Sequence, residues 1–279
     1  MRFLLINFLT VFLLTPSLAL GFRVGGLQSP ASFIVDPALG HYFISNISGK
    51  PLDRDHNGFI LKLDASGQPL LSISGKNKKT TLHAPESLAL KRNILYVTDI
   101  DSLRWFDKNT GNSLGHIDLT GIGAQHLKGL AFDDEENLYL SDVLVNAIYK
   151  VETRNHHKIT VFIKDNRLDN PSGMVFDPIR KRLIVVTRAS GQILGVGMDK
   201  KIVPAIAKTF KHLYGVGWGR AGNLLVSDQT GGKIYRIRNF SHSEIVRENI
   251  LTPAGLSFDY ARNLILVPSL EGNIAFTIP

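Results

Sequence analysis

The chain has 279 residues, 44% of them apolar and 20% charged, which is enough for a sizeable core and excludes a low-complexity or disordered class. It contains no cysteine, so neither disulfides nor a thiol-linked lipid anchor is available to it. A net charge of +8, spread along the chain apart from a cluster at Lys76, Lys78 and Lys79, is read as solubility and weak attraction to anionic surfaces rather than a nucleic-acid site.

The first segment stands apart from the fold. Met1-Arg2 is a short positive start, Phe3 to Leu14 is an apolar run broken only by Asn7 and Thr10, and Ser17-Leu18-Ala19 is a small-x-small cleavage signal. The three regions describe a secretory signal peptide over residues 1–20, cut near Ala19 to Gly21. The run is short of the roughly 20 residues that span a bilayer, and none as long follows it. The expectation is a periplasmic or secreted protein without a membrane span, folded over residues 21–279 and monomeric.

Next in chain order comes "DRDHNGFILKLD", Asp53 to Asp64, which imitates the spacing of a helix-loop-helix calcium loop. "FILKL" alternates as a strand, and Gly49, Pro51 and Gly58 before it exclude the flanking helix. Asp64 then falls at the far end of a strand from Asp53. The reading preferred is a polar turn in which Asp and Asn bond their own backbone and Asn57-Gly58 makes a tight reversal. A local calcium loop on Asp53, Asp55 and Asn57 is the alternative.

The rest of the chain is one unit written six times. The strand pairs "SPASFIVDPALGHYFISN", "APESLALKRNILYVTD", "HLKGLAFDDEENLYLSD", "NPSGMVFDPIRKRLIVVT", "HLYGVGWGRAGNLLVSD" and "TPAGLSFDYARNLILVP" carry equivalent points at Ala31, Glu86, Lys128, Ser172, Tyr214 and Ala254. Their spacings are 55, 42, 44, 42 and 40 residues, the first lengthened by the Asp53 excursion. A third strand follows each pair ("GFILKLD", "SLRWFD", "AIYKVE", "QILGVG", "KIYRIR", "NIAFTIP"), and a fourth follows all but the last. "GFRVGGL", Gly21 to Leu27, offers the missing strand. Four strands at a period near 40–45 predict an all-β, six-bladed β-propeller whose last blade is closed by the N-terminal strand of the mature chain. A two-domain β-sandwich is the competing fold, and it does not predict the repetition.

In such a wheel the openings of the inner strands surround the axis. Candidate ligand-binding residues are therefore Glu86, Lys128, Ser172 and Tyr214, backed by Asn46, Asp99, Asp142 and Asp228 at the ends of the second strands, with Arg188 adding charge nearby. The simplest reading of the repeated Asp is a side chain holding loop amides, and of Glu86 with Lys128 a pair across the funnel. Glu86 is the best candidate for a catalytic group. Ser172 lacks the setting of an activated nucleophile. His83, His126 and His212 precede inner strands and would together suit zinc, while His156-His157 reads as surface. Trp218 continues its strand in phase and reads as core.

The "P-x-G-φ-x-φ-D" openings, with "NGFI" and "YVTD", resemble the gluconolactonase and senescence-marker-protein superfamily of propellers, and NHL-like repeats, in an exported bacterial subgroup. The resemblance spans the mature chain. Active members of that superfamily are metal-dependent lactone hydrolases, which hold a divalent cation on a Glu, two Asn and an Asp. By position those ligands fall on Ala31, Ser172, Lys128 and Tyr214, so the resemblance implies a member lacking the usual metal ligands, with no cofactor expected and calcium or zinc as the alternative. The function expected is binding of a small molecule or protein partner at the funnel without metal catalysis. The alternatives are a lactone or ester hydrolase with a rearranged site on Glu86, helped by Asp99 or Asp142, and an assembly platform in an envelope complex.

Overall fold

A computed structural model describes residues 21–74 and 80–279. The proposed signal peptide and the Lys76–Lys79 cluster lie outside the described residues. Six four-stranded antiparallel sheets follow one another round an axis. A two-residue strand, β1 (Arg23–Val24), precedes them. The first sheet is β2 (Pro30–Asp36), β3 (His41–Asn46), β4 (Phe59–Leu63) and β5 (Pro69–Ser74), and the second is β6 (Pro85–Lys91), β7 (Ile94–Asp99), β8 (Ser102–Asp107) and β9 (Ser113–Asp118). The third is β10 (Leu127–Phe132), β11 (Asn137–Asp142), β12 (Ala147–Glu152) and β13 (Lys158–Lys164), and the fourth is β14 (Pro171–Asp177), β15 (Arg182–Thr187), β16 (Ile193–Gly197) and β17 (Ile202–Pro204). The fifth is β18 (Leu213–Trp218), β19 (Leu224–Asp228), β20 (Lys233–Arg238) and β21 (His242–Arg247). The sixth combines β22 (Ser257–Asp259), β23 (Leu264–Ser269) and β24 (Ile274–Ile278) with β1, whose Arg23 and Val24 pair with Phe276 and Ala275. The closing strand is shorter than the Gly21–Leu27 stretch expected, and Leu27 instead packs into the core beside β2.

Both faces of the second strands are buried, because every sheet is sandwiched between two others, while the outermost strands are largely exposed. Strand alternation therefore sends successive side chains to different neighbours. On β3, Tyr42 and Ile44 join a core shared with the sixth sheet, whereas Phe43 between them joins Ile60 of its own sheet and Leu88, Val97 and Phe106 of the second. The same arrangement recurs round the wheel. Phe43 is fully buried, and truncating such a ring costs about 3–5 kcal/mol.

Hydroxyl groups tie the inner strands of adjacent sheets together. Ser141 on β11 accepts from Gly129 N of its own sheet at 2.8 Å and donates to Ser172 O of the next sheet at 2.6 Å. Thr98 does the same between Ser87 N and Lys128 O, both at 3.0 Å, and Ser227 between Gly215 N and Ala254 O. Ser45 links Ser32 N to Glu86 O. Val186 holds the equivalent place in the fourth sheet, and there Ser172 itself donates to Tyr214 O at 2.9 Å. A buried hydroxyl bonded on both sides satisfies two main-chain groups that water does not reach.

The strands approach closely at these joints, which explains one run of glycines. A Cβ on Gly215 would stand 2.7 Å from Ala254 O, and one on Gly173 would stand 2.8 Å from Tyr214 O. These contacts leave no room for a side chain.

The Asp53 excursion differs from expectation in one respect. The left-handed residue is His56, at φ 61°, and Gly58 makes no reversal. Gly58 instead lies against the second sheet, where a Cβ would overlap His83 O and the Pro85 ring. Asn57 bonds to Asp55, Arg54 pairs with Asp101, and the His56 N–H donates to His83 Nδ1 at 3.3 Å. The excursion is thus a strap from the first sheet onto the second. No described helix is long and apolar enough to cross a membrane.

Candidate functional site

Three of the inner-strand openings meet as one buried cluster. Glu86 Oε1 accepts from the Lys128 ammonium, and Oε2 accepts from the Tyr214 hydroxyl. His126 Nε2 lies 3.3 Å from Glu86 Oε1, and Lys128 Nζ reaches the Tyr214 oxygen at 3.4 Å and stands 5.0 Å from its ring centre. Exposure of Glu86, Lys128 and Tyr214 is 2%, 4% and 5%, so the ion pair is almost out of water.

Electrostatics fix the protonation of this cluster. Burial alone would raise the Glu86 carboxyl, but the Lys128 charge and the bonds from His126 and Lys128 outweigh it and hold the group well below the usual carboxylate range. Burial lowers the Lys128 ammonium, against the pull of Glu86. Burial and the adjacent carboxylate raise the Tyr214 hydroxyl well above its ordinary value, so it remains a neutral donor. Glu86 is a carboxylate with its oxygens occupied, which makes it a weak proton acceptor.

The other ring positions differ in kind. Ala31 and Ala254 are small and buried, and Ala31 packs with Ile47, Ala84 and Ile100, with Leu270 against them, in an apolar seal. The second-strand residues serve the loops. Asp99 accepts from His83 N at 3.0 Å, Ala84 N at 2.8 Å and Arg104 Nε at 2.6 Å. Asp142 accepts from Gln125, His126, Leu144 and Val145 amides, Asp228 from Lys211, His212 and Gly231 amides, and Asn46 Oδ1 from Gln28 N. None of these four lines the axial cavity.

That cavity, about 350 Å³, runs down the axis beside the inner strands. Lys128, Ser172 and Tyr214 line it at the strand starts, and Trp218, Phe258 and Tyr260 at the strand ends. Tyr260 is 64% exposed, which marks the open end. Entry is therefore from the side away from the His83, His126 and His212 loops, opposite to the mouth expected from the sequence. Between the ends the wall is Ser32, Ser87, Gly129, Gly173, Gly215 and Gly255, one residue beyond each ring position. Four of the six were legible as the glycine of an "x-G" opening, with serine in the other two, but the consequence is a bore, which the motif alone does not announce. Trp218 is half-buried rather than pure core: its Nε1 donates to Phe176 O at 2.7 Å and its ring edges the bore.

The histidines divide among separate partners. His83 lies against His56 with the rings tilted and their centres 4.2 Å apart, His126 meets Glu86, and His212 accepts from Arg188 Nε at 2.9 Å. His157 is not a free surface group; it stacks on Trp105 at 4.2 Å and bonds Tyr96. Among the described residues, no three His, Asp or Glu converge as metal ligands. Ser172 commits its hydroxyl to the Tyr214 carbonyl.

No protein-family description matches the sequence, and no curated protein matches it. Solved structures do match by shape. Virginiamycin B lyase from Staphylococcus aureus superposes with a TM-score of 0.65 at 15% identity, covering 92% of this chain and 98% of the other. A streptogramin B lyase gives 0.67 at 12%, covering 92% and 97%. An auxiliary nutrient binding protein from Bacteroides thetaiotaomicron gives 0.68 at 10%, covering 91% and 69%. Identities this low carry the architecture and no activity, so by fold this chain stands among the β-propellers.

Proposed function

We propose that the chain is an exported propeller that binds a small polar molecule in its axial bore, without metal catalysis. The observation that carries this is a bore with a charged floor and an aromatic entrance. Lys128 gives two of its donors to Glu86 and Tyr214 and still lines the cavity, so it can meet an acceptor on the ligand. Trp218, Phe258 and Tyr260 supply apolar contact at the open end. The cavity volume suits a compact molecule rather than a protein segment. The finer superfamily assignment, to gluconolactonase-like propellers of the subgroup without metal ligands, is part of this proposal, as is cleavage near Ala19 to Gly21. The neighbour described as nutrient-binding is consistent with it in outline.

The low basicity of Glu86 weighs against the hydrolase version in which that residue takes a proton. Trp218 emission, read in a Trp105→Phe background while sugar acids and their lactones are titrated in, tests the binding proposal. A saturable change is expected, together with its loss in Ser87→Phe, which fills the bore from a partly exposed wall position. No response to any of the panel, or undiminished binding by the filled variant, would refute it. Chelator-sensitive turnover of a lactone would favour the hydrolase.

A further inference from the structure

We infer a second binding site, for the zwitterion of an α-amino acid, on the opposite face of the wheel from the open end of the bore. A cavity of about 590 Å³ lies among the loops of the fourth, fifth and sixth sheets. Arg188, the residue after β15, lines it with His212, Gln229, Leu251, Thr252 and Glu271. None of this depends on the axial proposal.

Arg188 is held in place by neutral groups. Its Nε donates to His212 Nε2 at 2.9 Å, its Nη2 donates to Gln229 Oε1 at 3.1 Å, and its guanidinium lies 5.5 Å from the Tyr214 ring centre. A His nitrogen that accepts this bond is unprotonated, and burial followed by the Arg188 charge lowers the His212 imidazole accordingly. Two of five guanidinium donors are used. Among the described residues no carboxylate pairs with Arg188, in a protein where most buried or half-buried cations do have one. The planar fork is preset for a carboxylate, and its neutral supports leave the full positive charge for the ligand.

The same cavity carries a carboxylate. Glu271 follows β23, with its main-chain N–H donating to Thr252 Oγ1 at 2.8 Å. Its side chain is exposed and, among the described residues, pairs with no cation. One cation and one anion thus line a single cavity without neutralising each other. A ligand that carries both charges complements that pair, whereas a simple anion would meet Glu271 as a repulsive group. Leu251, exposed at 56%, and Ile250 line the cavity between them and offer an apolar surface to a side chain.

Calorimetric titration of the mature protein with L-leucine, N-acetyl-L-leucine and L-leucinamide tests the inference. Leucine is expected to bind, and each blocked form to bind at least tenfold more weakly. Arg188→Gln should lose leucine binding by tenfold or more. Glu271→Gln, an exposed change that spares the fold, should weaken leucine while leaving N-acetyl-leucine as it was. Binding that needs only the carboxylate would make this a plain anion site and overturn the inference, as would equal affinity for all three probes or no heat with any. Ser87→Phe, which fills the axial bore, should leave leucine binding unchanged, so the two sites fail separately.

Discussion

The six inner-strand openings are one repeated position, yet they form two unlike arcs. Over the sixth and first sheets the residues are the buried Ala254 and Ala31, and Ala31 packs with Ile47 and Ile100, with Leu270 against them. Over the second to fifth sheets they are Glu86, Lys128, Ser172 and Tyr214: charge-assisted hydrogen bonds join Glu86 to Lys128 and Tyr214, and Ser172 donates to the Tyr214 carbonyl. Alanine occupies this position in two of the six sheets, so the wheel does not require charge all round its hub. Alanine suffices for closure, and the polar arc is an added feature whose desolvation is a cost that packing alone would avoid.

That contrast can be broken most sharply at Lys128. Lys128→Met leaves Glu86 buried without its cation, and urea unfolding should show a loss of about 3–5 kcal/mol. Adding Glu86→Gln should restore part of it, because two neutral groups replace one stranded charge. A double variant no more stable than the single would mean the arc is not a coupled pair.

Acid titration sharpens the same comparison. The folded-state carboxyl of Glu86 lies below its unfolded value, so its contribution is complete above about pH 4.3 and is lost as pH falls through the folded value. Below about pH 4.3 the wild type should therefore lose stability more steeply than Glu86→Gln, by up to about 1.4 kcal/mol per pH unit, the limit for one proton. Parallel pH curves for the two proteins would deny Glu86 this role. On the apolar arc, Ile100→Val should cost only about 1 kcal/mol and no pH dependence, as for any lost methyl group in a packed seal.

The wheel was legible because a blade is a local object. Its strands are neighbours in sequence, and many strand ends are marked by Asp, Gly or Asn. The hydroxyl-then-acid pairs of Thr98-Asp99, Ser141-Asp142 and Ser227-Asp228 were visible as a rule, and the acids do hold loop amides. The hydroxyls' role was hidden, since each reaches a carbonyl about 30 residues away on another sheet. Gly58 was misread for the same reason: a local scan supplies a turn, while the cause is contact with His83 and Pro85. The contact between Glu86 and Lys128 followed from ring geometry. Which end of the bore is open did not, because it depends on how side chains from separate sheets, Lys128 and Tyr214 at one end and Phe258 and Tyr260 at the other, are placed along the axis.

The pairing of Arg23 with Phe276 makes the earliest and latest stretches of the folded part partners in one sheet. Five sheets are complete within continuous stretches of chain, and each can form as its own residues become free. The sixth waits for the last strand, and until then the ring is an open crescent with a bare hydrogen-bonding edge at each tip. Closure of the ring thus depends on β24 meeting β1, and a chain truncated before β24 could not complete it.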